Sequence, residues 1–201
     1  MSDVSRETLI ARFFTERERE ISRYAEILAT LGIERGLIGP REGDRIWDRH
    51  IANCVPVASL MPKDSSVIDI GSGAGLPGIV LALTRPDLKV TLLEPLQRRI
   101  DFLQEVVDEL ELPITLIRGR AETTKGSFNI VTARAVAPLP KLLPLVWHLL
   151  APNGAVLAMK GDSAESELAL TKVKKSGKAE IISLDIEGLP KARVIQVRKT
   201  G

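Results

Sequence analysis

The apolar positions of this chain change rhythm near residue 65. Before it, Leu9, Ile10, Phe13, Phe14, Ile21, Tyr24, Ile27, Leu28 and Leu31 recur at helical spacing and predict a helix from Ser5 to Leu31. Its middle, Thr15-Glu-Arg-Glu-Arg-Glu20, reads as a salt-bridged solvated face. Gly32, Gly36, Gly39 and Pro40 break the pattern. A second helix is expected over Asp44 to Leu60, with Ile46, Trp47, Ile51, Val55, Ala58 and Leu60 inward.

Beyond Met61-Pro-Lys-Asp64, short apolar runs alternate with amphipathic stretches. The runs start at Val67 and continue at Leu88 to Leu93, Ile114 to Ile117, Phe128 to Ala133 and Ala155 to Met159, the last entered through a Pro152-Asn-Gly154 turn. Helices are expected at Ile79 to Leu83, Leu96 to Leu110 and Leu139 to Leu150, the second with Ile100, Leu103, Val106, Val107 and Leu110 on one face. Such alternation predicts a parallel sheet covered on both faces. A charged helix, Ala164 to Lys174, leads to strands at Ala179 to Leu184 and Arg193 to Arg198. These two leave no room for a crossover helix and should pair as an antiparallel hairpin. The expectation is an α/β, Rossmann-like fold with a mostly parallel seven-stranded sheet ending in that hairpin. A helical cap over 1–62 would pack on a core unit over 63–201.

Composition narrows the function. Aromatic residues are 3% of the chain, too few for a single-strand reader built on stacking platforms. Lys+Arg 28 against Asp+Glu 26 is a near balance, so nucleic-acid binding would depend on where the cations cluster. One cysteine, Cys54, excludes an internal disulfide and fits a reducing compartment. With two histidines, His50 and His148, and a single thiol, no metal site is expected. The N-terminal stretch with Asp3, Arg6, Glu7 and Arg12 lacks the apolar core of a signal peptide, and no apolar run is long enough to span a bilayer, so a cytoplasmic protein without membrane contact is expected.

The candidate chemistry lies at the strand ends, where open α/β sheets bind ligands. There stand Asp69 with Gly71-Ser-Gly-Ala-Gly75, then Glu94, Arg120-Ala-Glu122, Arg134-Ala135 and Lys160-Gly161. Glu94, 21 residues beyond Gly73, can take both hydroxyls of an adenosyl ribose or cap the helix near Leu96. Gly73-Ala-Gly-Leu-Pro-Gly78 spells the dinucleotide fingerprint, but Gly71-Ser72 separate it from the strand. Asp69 would repel a pyrophosphate and suit a cationic ligand, which favours S-adenosylmethionine. After the fourth strand there is neither an Asn/Asp-Pro-Pro-Tyr/Phe tetrapeptide nor a Pro-Cys nucleophile. Cys54 reads as a small core residue.

Five segments then coincide, in order, with one family: Trp47-Asp-Arg-His-Ile51, Asp69-Ile-Gly-Ser-Gly-Ala-Gly-Leu-Pro-Gly78, Gly119-Arg-Ala-Glu122, Thr132-Ala-Arg-Ala-Val-Ala137 and Met159-Lys-Gly161. The chain resembles the glucose-inhibited division protein B family of small-subunit ribosomal RNA guanine-N7 methyltransferases. The resemblance implies a class I S-adenosylmethionine-dependent methyltransferase fold and a 16S rRNA or small-subunit substrate; a monomer is expected. It implies that Gly71 and Leu76 contact the methyl donor, that Ala121 and Glu122 flank its adenine, and that Arg134 lies beside donor and acceptor. Asp69, Gly73 and Glu94 complete the expected donor site. Arg49, His50, Arg120 and Lys160 would line the RNA side, with Arg134, Lys160 and His50 as the candidate catalytic set. After His50 the chain departs from the commoner form, with Ile51-Ala-Asn-Cys54 in place of an acid followed by serine.

Guanine N7 carries a free lone pair, so its methylation requires no general base, and positioning supplies most of the catalysis. A cation beside N7 would oppose the charge arriving there, which assigns Arg134 and Lys160 to guanine O6 or phosphate. The plausible target is a guanine in an accessible or splayed RNA loop. His50 reads equally as a helix-end hydrogen-bonding residue, Trp47 and His148 as structural, and Arg98 and Arg99 as solvated. A non-catalytic nucleotide-binding or regulatory protein of the same fold is the second reading.

Overall fold

The computed structural model describes residues 5–200; residues 1–4 and 201, which the expected units include, lie outside it. One seven-stranded sheet has the order β3-β2-β1-β4-β5-β7-β6. Its strands are β1 (Ser66–Ile70), β2 (Lys89–Glu94), β3 (Thr115–Arg118), β4 (Phe128–Arg134), β5 (Leu150–Lys160), β6 (Gly177–Leu184) and β7 (Ala192–Lys199). Strands β1 to β5 run parallel, and β7 inserts antiparallel between β5 and β6. The expected sheet and terminal hairpin are both present.

Alternation along the strands makes two cores. Val67, Leu92, Ile130 and Leu157 face one side, with α4 (Gly78–Thr84), α5 (Gln97–Glu109) and the N-terminal helices. Ile68, Leu93, Val131 and Val156 face the other, with α6 (Leu139–Val146) and α7 (Ala164–Ala169). The N-terminal segment shares the first core directly, with Ile21, Tyr24, Ile51 and Cys54 among its buried members.

Four elements differ from expectation. The first helix divides into α1 (Arg6–Phe13) and α2 (Glu18–Ile27), broken at Phe14 with φ −136° and ψ 26°. Thr15 donates its hydroxyl to the Ala11 carbonyl, a competitor for the helical bond, and Phe14 turns into the core. The second becomes a chain of short turns: a widened π-helical turn (Ile46–Ile51), α3 (Ala52–Cys54), and a tight turn from Pro56 (Pro56–Leu60). Proline's missing N–H ends the α-helical ladder there. Strand β5 begins five residues early, and Pro152-Asn-Gly154 forms a bulge opposite Asn129, with Asn153 at φ 62°. Helix α7 stops at Ala169, where Thr171 takes the Glu167 carbonyl and exposed Leu170 offers no burial.

Candidate active site

Parallel pairing brings the carboxyl ends of β1 to β5 to one edge, with Ile70 level with Leu93 and Ala133, Glu94 with Arg118, and Arg134 with Met159. The turn after β1 reverses through Gly71, Gly73 and Gly75, all at positive φ (63°, 59° and 97°), a region that penalises any side chain. Gly71 and Ser72 donate their N–H groups to the Leu93 carbonyl, and Ser72 Oγ donates to the Asp69 carbonyl. Alternation turns Asp69 and Glu94 to the same face as α4 and the cap.

Asp69 is fully buried beneath this turn, its Oδ2 accepting the Gly78 N–H at 3.1 Å. Only glycine permits that contact: a Cβ at Gly78 would stand 2.2 Å from Leu92 Cδ2 and 2.9 Å from Asp69 Oδ2. Burial raises the Asp69 carboxyl from 3.8 to about 7, against the Gly78 N–H, Ser72 and the Arg134 charge. Its second oxygen, Oδ1, is buried without a hydrogen-bond partner. Glu94, also buried, accepts the Gly73 N–H through Oε2 at 3.0 Å and the Leu96 N–H through Oε1 at 3.1 Å. It therefore holds the glycine turn and caps the α5 entry at once. The cap reaches the same turn, with Tyr24 donating its hydroxyl to the Ala74 carbonyl at 2.9 Å.

Arg134 follows Ile130 and Thr132 onto the cap face. Its Nη1 donates to the His50 carbonyl at 3.2 Å and to Cys54 Sγ at 3.3 Å, and its Nη2 meets His50 Nδ1 at 2.8 Å. An arginine can only donate, so Nδ1 is the acceptor and His50 carries its proton on Nε2. That proton points at Glu42 Oε2, which lies 2.5 Å from Nε2. Burial, then the Arg134 charge, lowers the His50 pKa against the pull of Glu42. Cys54 donates to the His50 carbonyl, and burial pushes its thiol up to about 11. Arg134 is thus gripped by a neutral imidazole and a neutral thiol.

Lys160 lies at the same edge but follows Val156 and Ala158 onto the opposite face. Its Nζ donates to the Ala137 carbonyl at 2.8 Å and pairs with Glu167 Oε2 at 2.9 Å, its side chain 10% exposed. Glu167 also accepts the Leu139 N–H and the Ser163 hydroxyl. Burial works against its ionisation, yet Lys160 and these donors hold the carboxyl below its usual range. Together they pin the far end of the loop Ala135–Ala137, where Ala135 sits at φ 55° and Val136 is exposed. Val136 leans over the glycine turn, its Cγ2 3.0 Å from where a Gly71 Cβ would be.

The other expected residues divide by exposure. Gly71 and Gly73 are half-buried, Leu76 and Ala121 buried, and Glu122 and Arg120 exposed beyond β3. Arg49 is exposed and pairs with Glu42 Oε1 at 3.2 Å. Trp47 is half-buried under Arg6, and His148 is exposed with Nε2 on the Thr124 carbonyl. Sequence reasoning passed over Tyr24, Glu42, Val136 and Glu167. Tyr24 was hidden in an apolar stripe; Glu42 and Glu167 lie in a loop and a charged helix where carboxylates are ordinary.

A profile of the rRNA small subunit methyltransferase G (GidB) family matches residues 17–191. The chain belongs to the GidB family. Ribosomal RNA small subunit methyltransferase G of Streptomyces avermitilis is 51% identical over 193 residues, covering 92% of this chain and 81% of that protein. The Thermobifida fusca protein of the same name is 55% identical over 170 residues, 83% of this chain and 70% of its own. A crystallographic methyltransferase from Pyrococcus furiosus shares the fold at TM-score 0.60 and 18% identity, over 94% of this chain and all of the other (100%). GidB membership makes the chain an S-adenosylmethionine-dependent rRNA methyltransferase, of the class I fold expected from its sheet.

The site fits that donor. Asp69 Oδ1 is a buried acceptor without a partner, and the space a Gly73 Cβ would fill meets nothing closer than the Gly71 carbonyl at 3.8 Å. Among the described residues no helix is long and apolar enough to cross a membrane, and no cluster of His, Cys, Asp or Glu could hold a metal.

Proposed function

We propose that this GidB chain methylates N7 of one guanine in 16S rRNA. The observation that carries this reading is that neither His50 nor Cys54, the titratable side chains held against Arg134, is free to act as a base or nucleophile. Both ring nitrogens of His50 are engaged, and the Cys54 thiol is buried and protonated at neutral pH. Neither is placed to accept a proton from an amino group or to attack a pyrimidine ring, which fits an acceptor that brings its own lone pair, as N7 does. S-adenosylmethionine supplies an electrophilic methyl on a sulfonium centre when bound.

In this reading Gly71, Gly73 and Leu76 form the donor's cradle, with Asp69 as the negative charge beneath it. Ala121 and Glu122 flank the adenine. Glu94 takes the ribose hydroxyls with the lone pairs its backbone contacts leave free. Arg134 uses three of its five N–H donors on the cap and keeps two for guanine O6 or a phosphate. Lys160, tied to the Ala137 carbonyl and to Glu167, holds the loop beside the glycine turn against the RNA side. His50, engaged on both sides, acts through Arg134, and Arg49 and Arg120 meet the RNA backbone. Catalysis is positioning in a site that keeps cations away from N7 itself.

Residues 1–62 as cap and 63–201 as methyltransferase unit fold together in this reading, supported by their common core. Leu96, Val136 and Leu170 are the exposed large apolar residues among those described, which supports a monomer; in this reading it works in the cytoplasm with the ribosome. The test is mass spectrometry of 16S rRNA from cells lacking the gene, with transfer assays on free RNA, assembly intermediates and mature subunits. Loss of one N7-methylguanine is expected; retention of every such base overturns the reading. Calorimetry should find S-adenosylmethionine bound and NAD not bound, and the reverse would favour the nucleotide-binding alternative.

A further inference from the structure

We infer that Glu42, in the loop before the cap's second helical segment, is a positioning residue that sets the seat of Arg134 by fixing the His50 ring. The inference rests on Arg134 serving the methyl-transfer site. The Glu42 carboxylate makes its polar contacts with His50 and Arg49 rather than with the glycine turn or Arg134, yet three contacts run in series from it. Its Oε2 lies 2.5 Å from His50 Nε2, His50 Nδ1 lies 2.8 Å from Arg134 Nη2, and Arg134 Nη1 reaches Cys54 Sγ at 3.3 Å.

The chain has direction. A carboxylate can only accept, so Glu42 demands the proton on Nε2, and the lone pair is then left on Nδ1, where the guanidinium needs it. A ring carrying its proton on Nδ1 instead would set one N–H against another and release Nη2. The His50 side chain is 9% exposed, so little water is at hand to replace Glu42 as the Nε2 partner. Such outer partners of a functional imidazole fix its tautomer and orientation, and in metal sites their loss costs about 10–100-fold in affinity or activity. Glu42 also holds Arg49 at 3.2 Å, so one loop carboxylate links an RNA-facing cation to the seat of Arg134.

The test uses the full chain with ¹⁵N-labelled histidine, where His50 and His148 give only two ring systems. Wild type should show His50 as the single Nε2–H tautomer with a slowly exchanging ring proton. Glu42→Ala should give a mixture of tautomers with fast exchange and lower the transfer rate on small-subunit RNA about 10-fold. Glu42→Gln, whose amide oxygen still accepts, should restore the single tautomer and most of the rate. Arg49→Ala should leave the tautomer unchanged, separating the two roles of Glu42. Should Glu42→Ala fail to fold, the Gln variant and the wild-type spectrum still decide the matter. A wild-type ring with its proton on Nδ1 overturns the inference. So does an Ala variant that keeps one tautomer and the wild-type rate, or a folded Gln variant that loses both. Because the tautomer is read without substrate, a wild type that shows it but leaves 16S rRNA unmethylated overturns the proposed function and not the Glu42 contact.

Discussion

Arg134 and Lys160 leave adjacent parallel strands at the same edge of the sheet, yet they occupy opposite faces and are held by opposite kinds of partner. On the cap face, Arg134 donates to a neutral imidazole, a thiol and a carbonyl, none of which cancels its charge. On the α6–α7 face, Lys160 is paired with the Glu167 carboxylate, and its ammonium reaches back to the loop carrying Val136. A cation held by neutral donors and acceptors keeps its field for a ligand; one held by a carboxylate contributes mainly geometry. The same residue class, one register step apart at neighbouring strand ends, is therefore suited to electrostatic work on one side and structural work on the other.

The sharpest way to disturb the cap face is Gly78→Ala, whose methyl would meet Leu92 and Asp69 well inside contact distance. A loss of about 2–3 kcal/mol of stability is expected in denaturant titration, with donor binding abolished. Arg134→Ala should follow, lowering transfer about 10–100-fold through loss of hydrogen bonds from a charged group, each about 1.5–3 kcal/mol, in a protein that still melts cooperatively. On the other face, Lys160→Met should cost about 1–2 kcal/mol by leaving Glu167 unpaired, and Glu167→Gln added to it should recover most stability and rate. If the double variant folds but stays inactive, Lys160 contacts the RNA and the contrast between faces fails.

Asp69 tests the electrostatics of the cap face by pH. Its folded pKa stands above its unfolded one, so the folded state binds the extra proton. This group's contribution is full below about 4 and is lost as pH rises through about 7. In melting curves without ligand, Asp69→Asn should match wild type near pH 4 and exceed it at pH 8, while binding S-adenosylmethionine more weakly. Equal melting temperatures at both values would remove the buried charge from the account. The smallest effect is expected at Gly161, where a Cβ meets nothing within 4 Å: Gly161→Ala should leave melting temperature and donor affinity within error of wild type.

Much of this molecule could be read from pattern. Short apolar runs located the strands to within a few residues, except at β5, where a bulge absorbed what reads locally as a turn. Asp69, the glycine turn and Glu94 were visible because a strand, a turn and a helix that form one site lie within 26 residues of each other. The alternation Ile130-Val-Thr-Ala-Arg134 even encodes which face Arg134 occupies, once the buried side of the strand is known. Local chemistry of this kind is written where it acts, because backbone geometry repeats over short distances.

The contacts of the cap obey another rule. His50 and Arg134 are 84 residues apart, Tyr24 and Ala74 are 50 apart, and no periodicity connects them. Nothing in the local sequence marks Glu42 as the partner of a histidine or Glu167 as the counter-ion of a lysine, since surface carboxylates are common in both settings. The sequence by itself determined the sheet, the glycine turn and the family. Only the tertiary structure decided which cation keeps its charge, because that depends on which neutral or ionised groups the packing of cap and α7 brings within hydrogen-bond distance.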